Sequence, residues 1–304
     1  MTQLLNALPG ALAQGLIWGV MAIGVYITYK VLDIADLTVD GSICTGAAVC
    51  TMLLLGGQSP WLALLCAVLA GVLAGAVTGL LHVGLGIPPI LAGILTQMVL
   101  WSVNLKLLGK ANQVLPARTT PVLLSQMDVG GALPVLLGFC VVLVALLVLF
   151  FGTELGCALR ATGCNPVMSR AQGVNTGLMK VIGLALSNGV VALSGALLCQ
   201  YQGYTDVNMG RGAVVIGLAA VVIGQAVLGR RGGRMAVQLG GVILGAVIYY
   251  IVYQVIIFAG FDTDLLKMFS AVVVAVFLGA PHVKAQLKAH SRSKKGDSGH
   301  AENE

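Results

Sequence analysis

Glu154-Leu155-Gly156-Cys157-Ala158-Leu159-Arg160-Ala161-Thr162-Gly163-Cys164-Asn165-Pro166, continuing through Arg170, Gly173, Asn175 and Thr176, interrupts two long apolar runs with a polar, basic and Gly-containing stretch. Asn165-Pro166 has the order of an N-cap followed by a first helical residue. Gly173 suits the position just past a helix end. The spacing therefore predicts a short helix over Pro166 to Gln172. A short helix lying across one face of a membrane protein is a docking element for a partner; the plainer reading is a connector.

The flanks make this a membrane protein. Of 304 residues, 58% are hydrophobic and 9% charged, with a mean hydropathy of +0.97. A soluble domain carries about 25% charge. The apolar runs are continuous, so the spanning elements are helices and not barrel strands. Nine spans are predicted, at 10–29, 39–56, 61–83, 88–108, 132–152, 178–200, 213–228, 235–259 and 265–281. The tail 282–304 is polar and basic, with Lys284, Lys288, Arg292, Lys294 and Lys295, and is read as disordered. Met1 to Gly10 holds no Lys or Arg, so the first span is read as retained and not as a signal peptide.

The formal charge of +6 resides in short loops and the tail, which fits the positive-inside rule and not nucleic-acid binding. With the N-terminus outside, 12 of the 17 Lys and Arg residues are cytoplasmic, among them Lys30, Arg160, Arg170, Lys180, Arg230, Arg231 and Arg234. Lys106, Lys110, Arg118, Arg211 and Lys267 fall outside.

Asp36-Leu37-Thr38-Val39-Asp40-Gly41 follows the first span, and Asp206-Val207-Asn208-Met209-Gly210-Arg211-Gly212 follows the sixth. Each lies beyond a Tyr (Tyr29; Tyr201 and Tyr204) and leads into a helix of small residues. The matched spans are an odd number apart and so point in opposite directions. This predicts two inverted four-helix repeats, spans 1–4 and 6–9, around span 5, an arrangement that encloses a pathway. Asp36, Asp40, Asp206 and Asn208 act at the repeat junctions or cap helices.

Polar residues within spans mark pathways or interhelical hydrogen bonds. The pathway candidates are Gln97, Asn104, Asn188, Gln200, Tyr250 and Gln254. Gln97 and Asn104 share a helix face, as do Tyr250 and Gln254. No Asp, Glu, Lys or Arg is expected deep in a span, which argues against a carboxylate relay. Gly71, Gly75 and Gly79, and the Gly241/Gly245 pair, suit internal packing or a dimer seam. Pro88-Pro89 opens a helix or marks a broken one. The seven Cys form no C-x-x-C pair, the four His are scattered, and no Walker A or hydrolase motif is present, so neither a catalytic set nor a metal site is predicted.

Glu154 to Thr176, running on through Leu186-Ser187-Asn188-Gly189-Val190-Val191-Ala192-Leu193-Ser194-Gly195-Ala196-Leu197, resembles the permease subunits of bacterial ABC importers of the branched-chain amino acid and ribose type. So do Gly19 to Tyr29 with the Asp36–Gly41 loop, and Pro88-Pro89-Ile90-Leu91-Ala92-Gly93-Ile94-Leu95-Thr96. The nearest likeness is to the tryptophan/tyrosine transport permeases. Cys157, Cys164 and Arg211 depart from the family's pattern.

The resemblance implies an all-α integral membrane fold similar to the vitamin B12 importer permease. Residues 1–281 would form the permease domain: repeat 10–108, connector 132–152, coupling loop 153–177 and repeat 178–281. The coupling loop carries Glu154, Arg160, Ala161, Thr162, Gly163, Asn165, Pro166, Arg170 and Gly173. The resemblance also implies a second permease copy, cytoplasmic ATPase subunits that hold the ATP and Mg, and an extracytoplasmic solute-binding protein. Its setting is the bacterial inner membrane, with a cytoplasmic C-terminus, and its cargo a small solute, an aromatic amino acid being favoured. A stand-alone channel or facilitator is the alternative.

Overall fold

The computed structural model describes residues 2–116, 121–228 and 234–258, with Val272 and Ala275. Apart from those last two positions, the expected span 265–281 lies outside the described residues, as do Arg118, Arg230, Arg231 and the tail 282–304. The architecture is all-α. Its helices are α1 (Thr2–Tyr26), α2 (Val39–Leu55), α3 (Pro60–Gly84), α4 (Pro89–Leu108), α5 (Val129–Gly152), α6 (Glu154–Cys164), α7 (Pro166–Ala171), α8 (Thr176–Gln202), α9 (Ala213–Leu228) and α10 (Met235–Phe258). A π-helical turn, Ile27–Val31, extends α1. Among the described residues, six helical stretches are long and apolar enough to cross a membrane; α2 and α9 are apolar but shorter.

Helix ends follow local chemistry. Ser59 accepts from the Leu62 amide ahead of Pro60, and Asp128 accepts from Gly131 at the start of α5. Asn175 accepts from Leu178 to open α8. Each supplies an acceptor to a first-turn donor that has no intrahelical partner. Pro88-Pro89 opens an unbroken helix, with Pro89 in its first turn.

Helix α8 is the axis of the bundle, with α1, α2 and α3 packed around it. In a membrane, hydrophobicity does not drive helices together, so close backbone approach must. Gly71, Gly75 and Gly79 supply it along α3: an added Cβ would collide with Asn188 and Ala192, with the Leu184 carbonyl, and with Val181 of α8. Gly241 and Gly245 of α10 face Leu228, Gly224 and Ala220 of α9 in the same way. Both glycine sets serve packing within this chain. Hydroxyls add cross-links: Ser187 donates to the Gly24 carbonyl at 2.8 Å and Ser194 to the Ile17 carbonyl at 2.7 Å.

Helix α2 starts inside the bundle. Ser42, in its first turn, bonds Asn188 at the midpoint of α8, and Thr51, near its far end, bonds Thr205 just beyond α8. At 17 residues α2 is ten residues shorter than the 27-residue α8. Asp40 of α2 meets the start of α9, so α9 also begins within the bundle. Spans 2 and 7 of the sequence reading are therefore short helices that begin at this depth. A two-stranded antiparallel ribbon, β1 (Asn112–Val114) with β2 (Tyr204–Asp206), joins the loops beyond α4 and α8.

Candidate functional site

The 153–177 stretch is two helices meeting at Asn165. Thr153 caps α6, accepting from the Gly156 amide. Asn165 ends α6 and caps α7, accepting from Val167 and Met168 at 3.1 and 3.0 Å. Gly173 leaves α7 at φ 83°, a left-handed conformation that favours glycine.

The elbow is keyed to the bundle. Leu159 is fully buried. Gly163 lies against the Val31 carbonyl so closely that a Cβ would overlap it. Arg170 donates to the Thr176 hydroxyl at 2.8 Å, and Arg160 folds back onto the Phe151 carbonyl at 3.1 Å. Thr162 is buried, while Glu154, Ala161, Asn165 and Pro166 are exposed. Val167 and Met168 are 77% and 62% exposed on the outer side of α7. The sequence reading named neither, because apolar residues on a six-residue helix give no periodic signal.

The linker after Val31 carries Asp36 into the bundle. Its carboxylate accepts from the Thr38 amide at 2.8 Å and from Asn188 Nδ2 at 2.7 Å. Ser42 donates to Asn188 Oδ1 at 2.6 Å, and Asn188 donates to the Leu184 carbonyl at 2.9 Å. Thr38 pairs with Thr78 at 2.8 Å, and Thr78 with Thr96 at 2.9 Å, which ties the linker to α3 and α4. Asp36 is 5% exposed and level with the middle of α8. The expectation is that no Asp, Glu, Lys or Arg lies deep in a span; Asp36 belongs to a linker and not to a span, yet it reaches the same depth. The boundary reading left Asp36 in a loop, and apolar content alone does not reveal that a loop dips inward.

Asp40 caps the other half. Its two oxygens accept the amides of Gly212 and Val214, at 3.0 Å each. Asp206 accepts from the Asn208 amide at 2.6 Å, the same turn that Asp36 makes with Thr38.

A cavity of about 630 Å³ opens between α4, the first turns of α2 and the 207–211 loop. Asp40, Gln97, Trp101, Asn104 and Arg211 line it, with Met98 and Ile94 on its α4 wall. Asn104 is 1% exposed, and neither atom of its amide has a partner. Such a group costs about 1–3 kcal/mol when left unsatisfied.

Among the expected pathway residues, then, Gln97 and Asn104 come together at the cavity, joined by Asp40. Asn188 and Gln200 do not; both are buried and bonded to neighbouring segments, Gln200 to the Leu123 amide at 3.0 Å. Tyr250 packs on Trp18, with ring centroids 5.9 Å apart, and it and Gln254 lie on α10, apart from the cavity. Trp101 and Arg211 were missed as site residues; the charge of Arg211 in its loop was the available signal.

The model of the family described as branched-chain amino acid transport system / permease component matches residues 8–280. The chain is 37% identical over 287 residues to a tyrosine transport system permease protein of Clostridioides difficile, covering 93% of this chain and 94% of that protein. It is 33% identical over 279 residues to an uncharacterised protein of Rickettsia prowazekii, covering 91% of this chain and 98% of that one. The autoinducer 2 import system permease protein LsrC of Escherichia coli is 29% identical over 216 residues, or 67% of this chain and 60% of that protein. No solved structure matches significantly.

Proposed function

Because the chain belongs to the branched-chain amino acid transport system / permease component family, we propose that it is the membrane subunit of an ATP-driven importer, carrying a small organic solute for which an aromatic amino acid is the favoured identity. Two copies form the pathway in the bacterial inner membrane, each with its N-terminus outside and its C-terminus in the cytoplasm. A solute-binding protein delivers the cargo from outside. Cytoplasmic ATPase subunits hold the ATP and Mg and dock on α6 and α7. The name of the Clostridioides relative supports the aromatic preference.

The observation that carries this reading is the elbow. Its tip exposes Val167 and Met168, while its base is wedged on Val31 through Gly163. A partner that pushes on α7 therefore pushes on the start of the 32–38 linker. That linker leads to Asp36, Asn188 and the first turn of α2, which borders the cavity. ATPase closure would thus move a wall of the pathway.

The two halves read as inverted repeats of the kind that the vitamin B12 importer permease has, with α5 as connector. Asp36 and Asp206 lie 170 residues apart and make the same turn. The same interval relates the bonded pair Ser187 and Gly24 to the bonded pair Ile17 and Ser194, with donor and acceptor exchanged. It also pairs Asp40 with Gly210, which are in contact, as residues on a two-fold axis must be. Helix α3 lies on α8 as α10 lies on α1. Such repeats hold a binding site where they meet, and the cavity adjoins that point.

The test is purification from native membranes in mild detergent. A stoichiometric ATPase subunit is expected. A folded chain that repeatedly emerges alone would favour a stand-alone channel.

A further inference from the structure

We propose that the cavity beside Asp40 and Arg211 is a recognition site for the zwitterionic head group of an α-amino acid, and that α4 takes its side chain. The inference deepens the importer reading and rests on it for its physiological meaning. It assigns part of the cargo selection to the permease itself.

The charges on the walls decide the ligand class. Arg211 offers a guanidinium fork that matches a carboxylate. Asp40 carries the opposite charge on the same cavity. Its oxygens accept the backbone amides of Gly212 and Val214, with the Ala213 amide also bonding the carboxylate; a carboxylate has about four acceptor positions, so one remains for an ammonium group. A cation alone would meet Arg211 unfavourably, and an anion alone would meet Asp40 unfavourably. A sugar would hydrogen-bond to either group but neutralise neither charge. A zwitterion uses both.

The remaining walls suit the rest of such a molecule. Trp101, Met98 and Ile94 present exposed apolar surface. The volume of about 630 Å³ lies within the roughly 300–1,000 Å³ of ordinary ligand sites. Asn104 adds, at the cavity wall, a buried amide with no protein partner, a group that a water or a bound ligand would satisfy.

The test uses the full chain in lipid nanodiscs, without ATPase or binding protein, and radiolabelled L-tyrosine. Tyramine lacks the carboxylate, and 3-(4-hydroxyphenyl)propionate lacks the amine. Each is expected to compete at least about tenfold more weakly than tyrosine. Arg211→Gln is expected to erase the preference for tyrosine over tyramine, and Asn104→Ala to weaken tyrosine itself severalfold. Arg211 is exposed, so its variant is expected to fold, and a size-exclusion profile verifies that. Equal competition by either truncated analogue, an undiminished preference in Arg211→Gln, or no displaceable tyrosine binding at all would overturn the proposal. Absent binding in a chain that still co-purifies its ATPase overturns only this site. Selective binding in a chain that never recruits an ATPase overturns only the importer reading.

Discussion

Asp40 and Gly212 lie 172 residues apart and are joined by a 3.0 Å hydrogen bond from the Gly212 amide to the Asp40 carboxylate. Through it, a side chain in the first turn of α2 caps the first turn of α9. The two short helices thereby fix one another's starting depth. A negative charge at a helix start is favourable for the helix dipole as well as for the free amides.

Removing that cap should cost stability in graded fashion. Asp40→Ala loses both acceptors, and a missing cap costs about 0.5–2 kcal/mol. Asp40→Asn keeps one acceptor and should fall between wild type and Ala. Thermal melting of the detergent-solubilised protein, followed by intrinsic fluorescence, reads the order. Equal melting temperatures for wild type and Asp40→Ala would exclude the capping role.

The Asp36–Asn188 pair predicts a rescue. Asn188→Leu strands the Asp36 carboxylate and the Ser42 hydroxyl, each at about 1–3 kcal/mol. The exchange Asp36→Asn with Asn188→Asp restores the pair: the new amide donates to the new carboxylate, Ser42 still finds an acceptor, and the Thr38 amide keeps one too; the bond from position 188 to the Leu184 carbonyl is the one not replaced. The double variant should recover most of the melting temperature lost in either single variant. A double variant no better than the worse single one would contradict the network.

The contact of α3 with α8 leaves no room for side chains. Gly75→Val should collapse the yield of monodisperse protein, since overpacking costs about 1–3 kcal/mol even where relaxation is possible. Gly84→Ala, at a position with open space around it, should leave the size-exclusion profile unchanged. If both variants behave alike, the glycine face is not the packing seam.

Position in the elbow should decide phenotype. Gly163→Ala would push against the Val31 backbone and lower stability, whereas Ala161→Glu, on an exposed side chain, should express normally and impair only ATP-linked uptake. Uptake and ATP hydrolysis measured in proteoliposomes separate the two effects. Normal stability of Gly163→Ala would remove the wedge from the account.

Much of this molecule was legible in its sequence because membrane helices announce themselves as continuous apolar runs. The Asn165-Pro166 start of α7 and the shared face of Gln97 and Asn104 were legible for the same kind of reason: each depends on residues close together in the chain. The depth at which α2 and α9 begin was not, since an apolar run of 16 or 17 residues reads almost as a full span. Helix α6 was missed because Gly156, Thr162 and Gly163 are weak helix formers, and its stability comes from Leu159 and the Val31 contact. The β1–β2 ribbon needs strands of three residues each from opposite halves. Arg211 and Trp101 became site residues only when folding brought their segments together.

The most direct measurement is ATPase recruitment and ATP-driven uptake by Met168→Asp beside wild type, at matched membrane abundance. The account predicts that wild type brings down a stoichiometric ATP-binding subunit and drives uptake. Met168→Asp should lose both, because a carboxylate at the exposed tip of α7 cannot be desolvated against an apolar partner surface without a large cost. A variant that retains its ATPase and its uptake would contradict the assignment of α7 as the element through which ATP hydrolysis reaches the membrane.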